Sequence, residues 1–178
     1  MIKYNICFIS RGDEILLLNR QFEPWMGCWN GIGGKLDNNE LPRNSMRREI
    51  YEETNIQEYT LHFKGVVTWV VDEKIVGGMY LYLAEVSEQY VYDTPIKTVE
   101  GILDWKPTTW IMDKNNVGIA ANIPESLELI LNDPLCYQHQ CKYKDGKLIE
   151  HTSIVIDPLI ETNEGIREAF LAKYLISN

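Results

Sequence analysis

The 178-residue chain predicts an α+β fold built on a mixed sheet. Three observations carry this. Apolar runs with strand alternation recur along the chain and are joined in pairs by compact polar turns. Helical stretches with apolar residues three and four apart lie between these pairs. Strands and helices interleave without the regular βαβ spacing of an all-parallel sheet.

Residues 3–10 and 14–20 form a first hairpin around Arg11-Gly12-Asp13. Residues 21–33 hold Pro24, Gly27, Gly31 and Gly33 among Phe22, Trp25 and Trp29, which predicts an aromatic loop with a short strand near Ile32. Residues 42–54 read as a helix, with Pro42 in its first turn and Met46 and Ile50 on its buried face. Residues 59–71 and 75–86 are rich in Val, Tyr, Leu and Thr and turn at Asp72-Glu73-Lys74. Gly77-Gly78 in the second of these strands predicts a bulge or a close backbone approach. A polar loop over 87–101 precedes a strand at 102–111 carrying Trp105 and Trp110, and a second loop at 112–122 follows. Pro124 starts a helix over 124–131. Strands at 137–143 and 148–156 flank Lys144-Asp145-Gly146-Lys147, a strong turn signal. Residues 159–176 read as a terminal helix in which Ile166, Phe170 and Tyr174 recur every four residues beside Leu171 and Leu175. The predicted organisation is one domain over 1–157 with a C-terminal helix, 158–178, packed on it or contributing a dimer contact. Monomer and homodimer both stay open.

Length and 45% hydrophobic content suit a single core. The formal net charge of −9 argues against non-specific binding to nucleic acid or an anionic membrane. An acidic protein binds polyphosphate only where cations neutralise the site. No apolar run is long enough to span a membrane, and the first ten residues are too polar for a secretory signal, so a cytoplasmic location is expected. Cys7, Cys28, Cys136 and Cys141 suggest no disulfide framework. Cys136-x-x-His139-x-Cys141, with His151 beyond it, lacks two close ligand pairs of the usual zinc spacing, and its alternation suits a hairpin.

Glu49, Glu52 and Glu53 are spaced to share one side of the first helix. At ~5 Å and an effective dielectric of about 20, each pair repels by roughly 3 kcal/mol. If fully exposed, each costs only a few tenths. Such a triplet is a cation site if its face lines a cleft and ordinary solvated surface if it does not. The frame around it decides. Gly34, Glu40, Arg48-Glu49-Ile50, Glu52-Glu53 and Ile56 span 23 residues and resemble the Nudix box, G-x5-E-x7-R-E-U-x-E-E-x-G-U, where U is a bulky aliphatic residue. Asn55 stands where that family has glycine. Asn is the next best residue for a left-handed helix end, so the departure is expected to cost little.

The resemblance implies an α/β/α sandwich and Mg²⁺-dependent cleavage of a diphosphate bond, with Mn²⁺ as the alternative cation. It assigns Glu52 and Glu53 as principal metal ligands and the Gly34 carbonyl as a further one. Glu49 would hold a second ion or orient the attacking water. Arg48 would brace the loop by pairing with Glu40. Glu100, five residues before Trp105, is the candidate for a fourth carboxylate, as ligand or general base, with Glu85, Glu88 and Asp104 competing. Trp29-Asn30-Gly31-Ile32-Gly33-Gly34-Lys35 is similar to the segment leading into the box in the MutT-like branch that cleaves oxidised purine nucleoside triphosphates. On that likeness Asn30 would bind the base edge, Arg20 and Lys35 the phosphates, and Glu125 the base. Pro124 beside Glu125 breaks that branch's acidic pair, which puts preference for an oxidised guanine in question. Trp25, Trp29 or Phe22 would offer a stacking face or pack as core.

The expected activity is hydrolysis of a nucleoside triphosphate to monophosphate and pyrophosphate. The rivals are cleavage of ADP-ribose, a nucleotide sugar or a dinucleotide, a non-catalytic ligand-sensing module, and isopentenyl-type isomerisation with Cys28 and Cys7.

Overall fold

The computed structural model describes residues 2–176. In chain order the strands are β1 (Tyr4–Arg11), β2 (Glu14–Arg20), β3 (Trp29–Asn30), β4 (Thr60–Val71), β5 (Ile75–Glu85), β6 (Ile96–Lys97), β7 (Gly101–Pro107), β8 (Tyr137–Lys144) and β9 (Lys147–Val155). The helices are α1 (Pro42–Thr54), α2 (Thr108–Ile111), α3 (Ile123–Asn132) and α4 (Glu164–Ile176). One mixed sheet runs β6-β7-β2-β1-β5-β4-β8-β9, with β3 paired to β2. The β1–β5 and β4–β8 pairs are parallel and the rest antiparallel.

Helices cover both faces, so the central strands are apolar on both sides rather than alternating with polar residues. Cys7, Ile9, Leu16, Leu18, Tyr80 and Tyr82 point to one face, where they meet Met46 and Ile50 of α1 and Ile166, Phe170 and Leu171 of α4. Ile6, Phe8, Ile15, Leu17, Leu81 and Leu83 point to the other, against Ile111 of α2 and Ile123, Leu127 and Ile130 of α3. This is the expected α+β fold in its α/β/α sandwich form. The side chains of Tyr174 and Leu175 lie outside the described residues.

Several boundaries differ from the sequence expectation. The short strand forms at Trp29–Asn30, while Ile32 makes only an isolated bridge to Cys7. The polar loop after β5 contains β6, which pairs with β7. The strand predicted over 102–111 stops at Pro107, and Thr108–Ile111 wind into α2, carrying Trp110 out of the sheet. Proline has no N–H to continue a ladder. The terminal helix is broken into a 3-10 turn at Pro158–Ile160 and α4. Asp157 caps the turn at Leu159 N–H (2.9 Å), and Asn163 Oδ1 accepts from Ile166 N–H in the first turn of α4 (3.0 Å). Gly77 is a close approach, since a Cβ there would sit 2.4 Å from the Trp69 ring. The bulge lies instead in the partner strand, between Phe63 and Gly65.

Candidate active site

Helix α1 sets the geometry. Pro42 occupies its first turn and needs no hydrogen-bonded N–H there. Met46 and Ile50 anchor its inner face in the core. Asn55 ends it in the left-handed conformation, φ 59°, and donates its N–H to Tyr51 O at 2.8 Å. With the helix so fixed, Glu49 is 9% exposed, Glu53 is half-buried and Glu52 faces solvent.

Arg48 is the hub of the carboxylates. Its Nε and Nη2 grip both oxygens of Glu40 at 3.0 and 2.9 Å, the bidentate pairing expected between loop and helix. Nη1 reaches Glu49 at 2.9 Å and Glu52 at 3.1 Å, and Nη2 also donates to the Lys35 carbonyl at 3.2 Å. The Arg48 hydrogen bonds hold Glu40 down at about 2, opposed by its partial burial. Burial pushes the Glu49 carboxyl above its ordinary value, and Arg48 opposes the shift.

Glu53 differs from its neighbours. Its Oε1 accepts from the Gly33 N–H at 3.2 Å. Its Oε2 is shielded from solvent and has no hydrogen-bond partner. Burial raises this carboxyl to about 8. The Gly33 N–H opposes the rise, the charges of Glu49 and Glu100 add to it, and Arg20 opposes it. A buried carboxylate oxygen left unpaired is costly unless a proton or cation meets it. Gly34 is pressed against the same group of side chains, since a Cβ there would lie 2.6 Å from the Glu49 carboxylate. Its carbonyl accepts from Asn5 N–H at 2.9 Å, which leaves one lone pair.

These oxygens suit a hard divalent cation. Among the described residues, no three His, Cys, Asp or Glu side chains converge as a metal cluster. The reason is visible in the ion pairs: Glu49 and Glu52 are turned onto Arg48. Glu53 Oε2, the unpaired oxygen, is the observation that fits a cation.

Gly33 and Gly34 line a cavity of about 640 Å³. Arg20 and Lys35 supply its cations, Asn5, Asn30 and Asn122 its amides, and Tyr4, Trp25, Trp69 and Tyr143 its aromatic walls. Trp25 meets Tyr143 edge-on with ring centroids 6.0 Å apart. Arg20 Nε donates to the Pro24 carbonyl at 2.8 Å and so fixes the loop that carries Trp25. Asn30 Oδ1 is oriented by the Gly31 N–H at 2.9 Å. A second cavity of similar volume opens along β4 and the end of α3; it includes Glu85 and Glu161 but none of the box glutamates. Its cations are committed internally, Arg43 to Glu161 and Lys64 to the Asp133 carbonyl.

The structure thus brings Asn30, Arg20, Lys35 and Gly34 to one cavity, with Glu53 hydrogen-bonded to Gly33 and Glu49 packed on Gly34 in its wall, while exposed Glu100 reaches Glu53 through its charge. Glu125 is not part of this cavity wall. It sits in the first turn of α3, where its charge acts on His151, and Asn122 at the N-cap of α3 lines the cavity instead. Trp29 and Phe22 do not line the cavity either. The Trp29 ring carries the Lys106 ammonium 4.2 Å from its centroid, and Phe22 is exposed. Sequence reasoning did not single out Asn5, Tyr4, Trp69, Asn122 or Tyr143. A signal existed for Asn5 alone, as a lone amide in an otherwise apolar strand.

A model of the NUDIX domain matches residues 4–111. The chain belongs to the Nudix family. A relative from Bacillus subtilis, the uncharacterized Nudix hydrolase YvcI, is 31% identical over 100 residues, covering 56% of this chain and 61% of that protein. The oxidized purine nucleoside triphosphate hydrolase of Mus musculus is 27% identical over 103 residues, covering 57% of this chain and 64% of its own. The match therefore spans somewhat less than two thirds of either curated relative. Among solved structures, a MutT protein from Bacillus halodurans superposes with a TM-score of 0.68 at 24% identity, over 86% of this chain and 97% of that one. The NUDIX domain of Shewanella oneidensis NrtR, complexed with ADP ribose, superposes at 0.55 with 16% identity, over 72% of this chain and 86% of its own. These superpositions establish a shared fold. Nudix hydrolases generally use divalent metal ions, in keeping with the oxygen donors of this box.

Two other readings lose their footing. The isomerisation reading names Cys28 and Cys7, but Cys7 is wholly buried and its thiol is pushed far above its ordinary value, which leaves the partly exposed Cys28 without that partner. Cys141 pairs across the strands with His151, but Cys136 is turned to the Phe63 carbonyl, so the cysteines and histidines of this hairpin do not form a zinc cluster.

Proposed function

We propose that this chain is a Mg²⁺-dependent hydrolase of a nucleoside triphosphate, releasing nucleoside monophosphate and pyrophosphate. The observation that carries this reading is Glu53: a carboxylate with a buried, unpaired oxygen, hydrogen-bonded to Gly33 in the wall of a cavity whose cations are Arg20 and Lys35. A divalent cation bound beside it supplies charge neutralisation at the phosphate oxygens and makes water more acidic. Glu53, Glu49, Glu52, Glu100 and the Gly34 carbonyl are the oxygens proposed to hold it, Mn²⁺ being the alternative ion. Arg20 and Lys35 draw the phosphate chain toward the box. Glu49 and Glu100 are the candidates to orient or deprotonate water. Arg48 and Glu40 hold the loop against the helix and touch no substrate.

The aromatic walls of the cavity suit a flat, uncharged ring. Trp25, Trp69 and Tyr143 offer π-faces, and Asn30 and Asn122 offer both donors and acceptors. No carboxylate reads the base there, so we assign a purine nucleotide without commitment to an oxidised one. The catalytic unit is proposed to be residues 1–157, with the segment after it, which carries the 3-10 turn and α4, packed on the same domain. No helix among the described residues is long and apolar enough to cross a membrane. Four free thiols are in keeping with the proposed cytoplasmic location.

The test is product analysis. Purified protein with Mg²⁺ is incubated with ordinary and oxidised purine triphosphates, ADP-ribose, a nucleotide sugar and a dinucleotide. Pyrophosphate with monophosphate from a triphosphate is the expected result. Cleavage confined to the other substrates moves the assignment to them. Binding of Mg²⁺ without any turnover makes the chain a ligand-sensing module.

A further inference from the structure

Asn5 lies in β1 between residues that are apolar on both faces of the sheet, and it is 3% exposed. A buried amide in such a run is costly unless its groups are paired. Here the pairings run to the box. The Asn5 backbone N–H donates to Gly34 O at 2.9 Å, and its Oδ1 accepts from the Gly34 N–H at 3.1 Å. Its Nδ2 donates to Ser45 Oγ at 2.8 Å. Ser45 is fully buried on α1, and its Oγ also accepts from Arg48 Nη2 at 3.3 Å. One side chain therefore joins the Gly33-Gly34 turn to the helix and, through Ser45, to the arginine that holds Glu40, Glu49 and Glu52.

Packing reinforces the link. A Cβ on Gly33 would lie 2.3 Å from the Asn5 carbonyl oxygen, and one on Gly34 would lie 2.6 Å from the Glu49 carboxylate. The turn is pressed between Asn5 on one side and Glu49 on the other. Asn5 also lines the cavity, so it stands where cavity and box meet.

We propose that Asn5, outside the box in sequence, is a positioning residue for it. It fixes the Gly34 peptide relative to Glu49 and Glu53 and so sets how well the box holds a divalent cation. The inference rests on the hydrolase reading for its purpose. The amide suits the task because one planar group supplies an acceptor to Gly34 and a donor to Ser45. Asn5→Leu removes both bonds at similar volume. Ser45→Ala leaves the Gly34 bonds and cuts the link to the helix, together with the Ser45 contact to Arg48.

The experiment is a Mn²⁺ titration of the wild type, Asn5→Leu and Ser45→Ala by electron paramagnetic resonance, with thermal unfolding in chelator as the fold control. Partners that orient metal ligands change affinity by about 10- to 100-fold, so Asn5→Leu is expected to bind Mn²⁺ at least roughly tenfold more weakly, and Ser45→Ala about threefold. With a substrate found, kcat falls in the same order while KM at saturating metal moves less than about threefold. Mn²⁺ affinity unchanged in both variants, with only the unfolding temperature lowered, overturns the proposal. So does a raised KM with unchanged metal affinity, which makes Asn5 a substrate contact. If Asn5→Leu does not fold, Ser45→Ala decides by the same criterion. A wild type that binds Mn²⁺ yet cleaves no diphosphate refutes the hydrolase reading alone, because the Asn5 comparison is read from metal affinity. A wild type that binds no Mn²⁺ refutes both.

Discussion

Glu53 and Arg48 divide the work of the box. Arg48 spends its guanidinium on Glu40, Glu49, Glu52 and the Lys35 carbonyl, so it is structural. Glu53 keeps one oxygen unpaired and is raised to about 8 chiefly by burial. Its folded-state value lies above its unfolded one, so in chelator this group costs stability as pH rises from the ordinary carboxyl range toward 8. His139 works in the opposite sense. It is 1% exposed, its Nδ1 lies 2.8 Å from Ser153 Oγ, its ring sits near Tyr137 and His151, and burial lowers it to about 4. The unfolded chain binds the proton first, so its contribution is full above about 6.5 and is lost as pH falls toward 4. Glu53 acts in the opposite direction over the same range, so the His139 contribution is read by comparison: between pH 7 and pH 4.5 in urea unfolding, His139→Phe is expected to lose about 2–3 kcal/mol less than the wild type. Parallel losses in the two proteins would contradict it.

At the scale of elements, α1 was readable to the residue because its signals are local. Pro42 starts it, Met46 and Ile50 set its buried face, and Asn55 ends it with φ 59°. The left-handed stop is the element's weak point, since a Cβ-bearing residue without Asn's local hydrogen bonding pays about 1–2 kcal/mol there. Asn55→Ala is therefore expected to lower the unfolding free energy by about 1 kcal/mol, while Asn55→Gly leaves it level or slightly higher. Equal midpoints for the Ala and Gly variants in a urea titration would count against the cap. Helix α2 was not readable. Trp110 and Ile111 favour strands by propensity, but the ladder ends at Pro107 and Ile111 docks into the core as part of a single helical turn. Tertiary packing overrode local preference there.

For the whole molecule, the sequence points to the box and to Arg20, Trp25, Asn30 and Lys35 of the cavity, but not to the rest of the cavity wall. Glu40, Glu49, Glu52, Glu53, Arg48 and Gly34 fall within 23 consecutive residues, so one motif carries them, while Glu100 lies outside it. The cavity draws Asn5 from β1, Trp69 from β4, Asn122 from the start of α3 and Tyr143 from β8. They meet only because the sheet orders its strands β1-β5-β4-β8, a crossover that hydrophobic alternation does not encode. Glu125 shows the same limit: three residues from Asn122 along the chain, it does not line the cavity, and its charge acts on His151. The central claim joins box and cavity, since the carboxylate of Glu53 must serve a diphosphate seated in that cavity. The direct measurement is pyrophosphate release from a purine nucleoside triphosphate by the wild type and Glu53→Gln at saturating Mg²⁺. Glutamine keeps an acceptor for the Gly33 N–H and removes the buried charge, so the variant should stay folded and be at least as stable as the wild type in chelator at pH 8. Its turnover should fall by at least about 100-fold, the scale of losing one electrostatic or acid–base group. Turnover within a few-fold of the wild type would contradict the account.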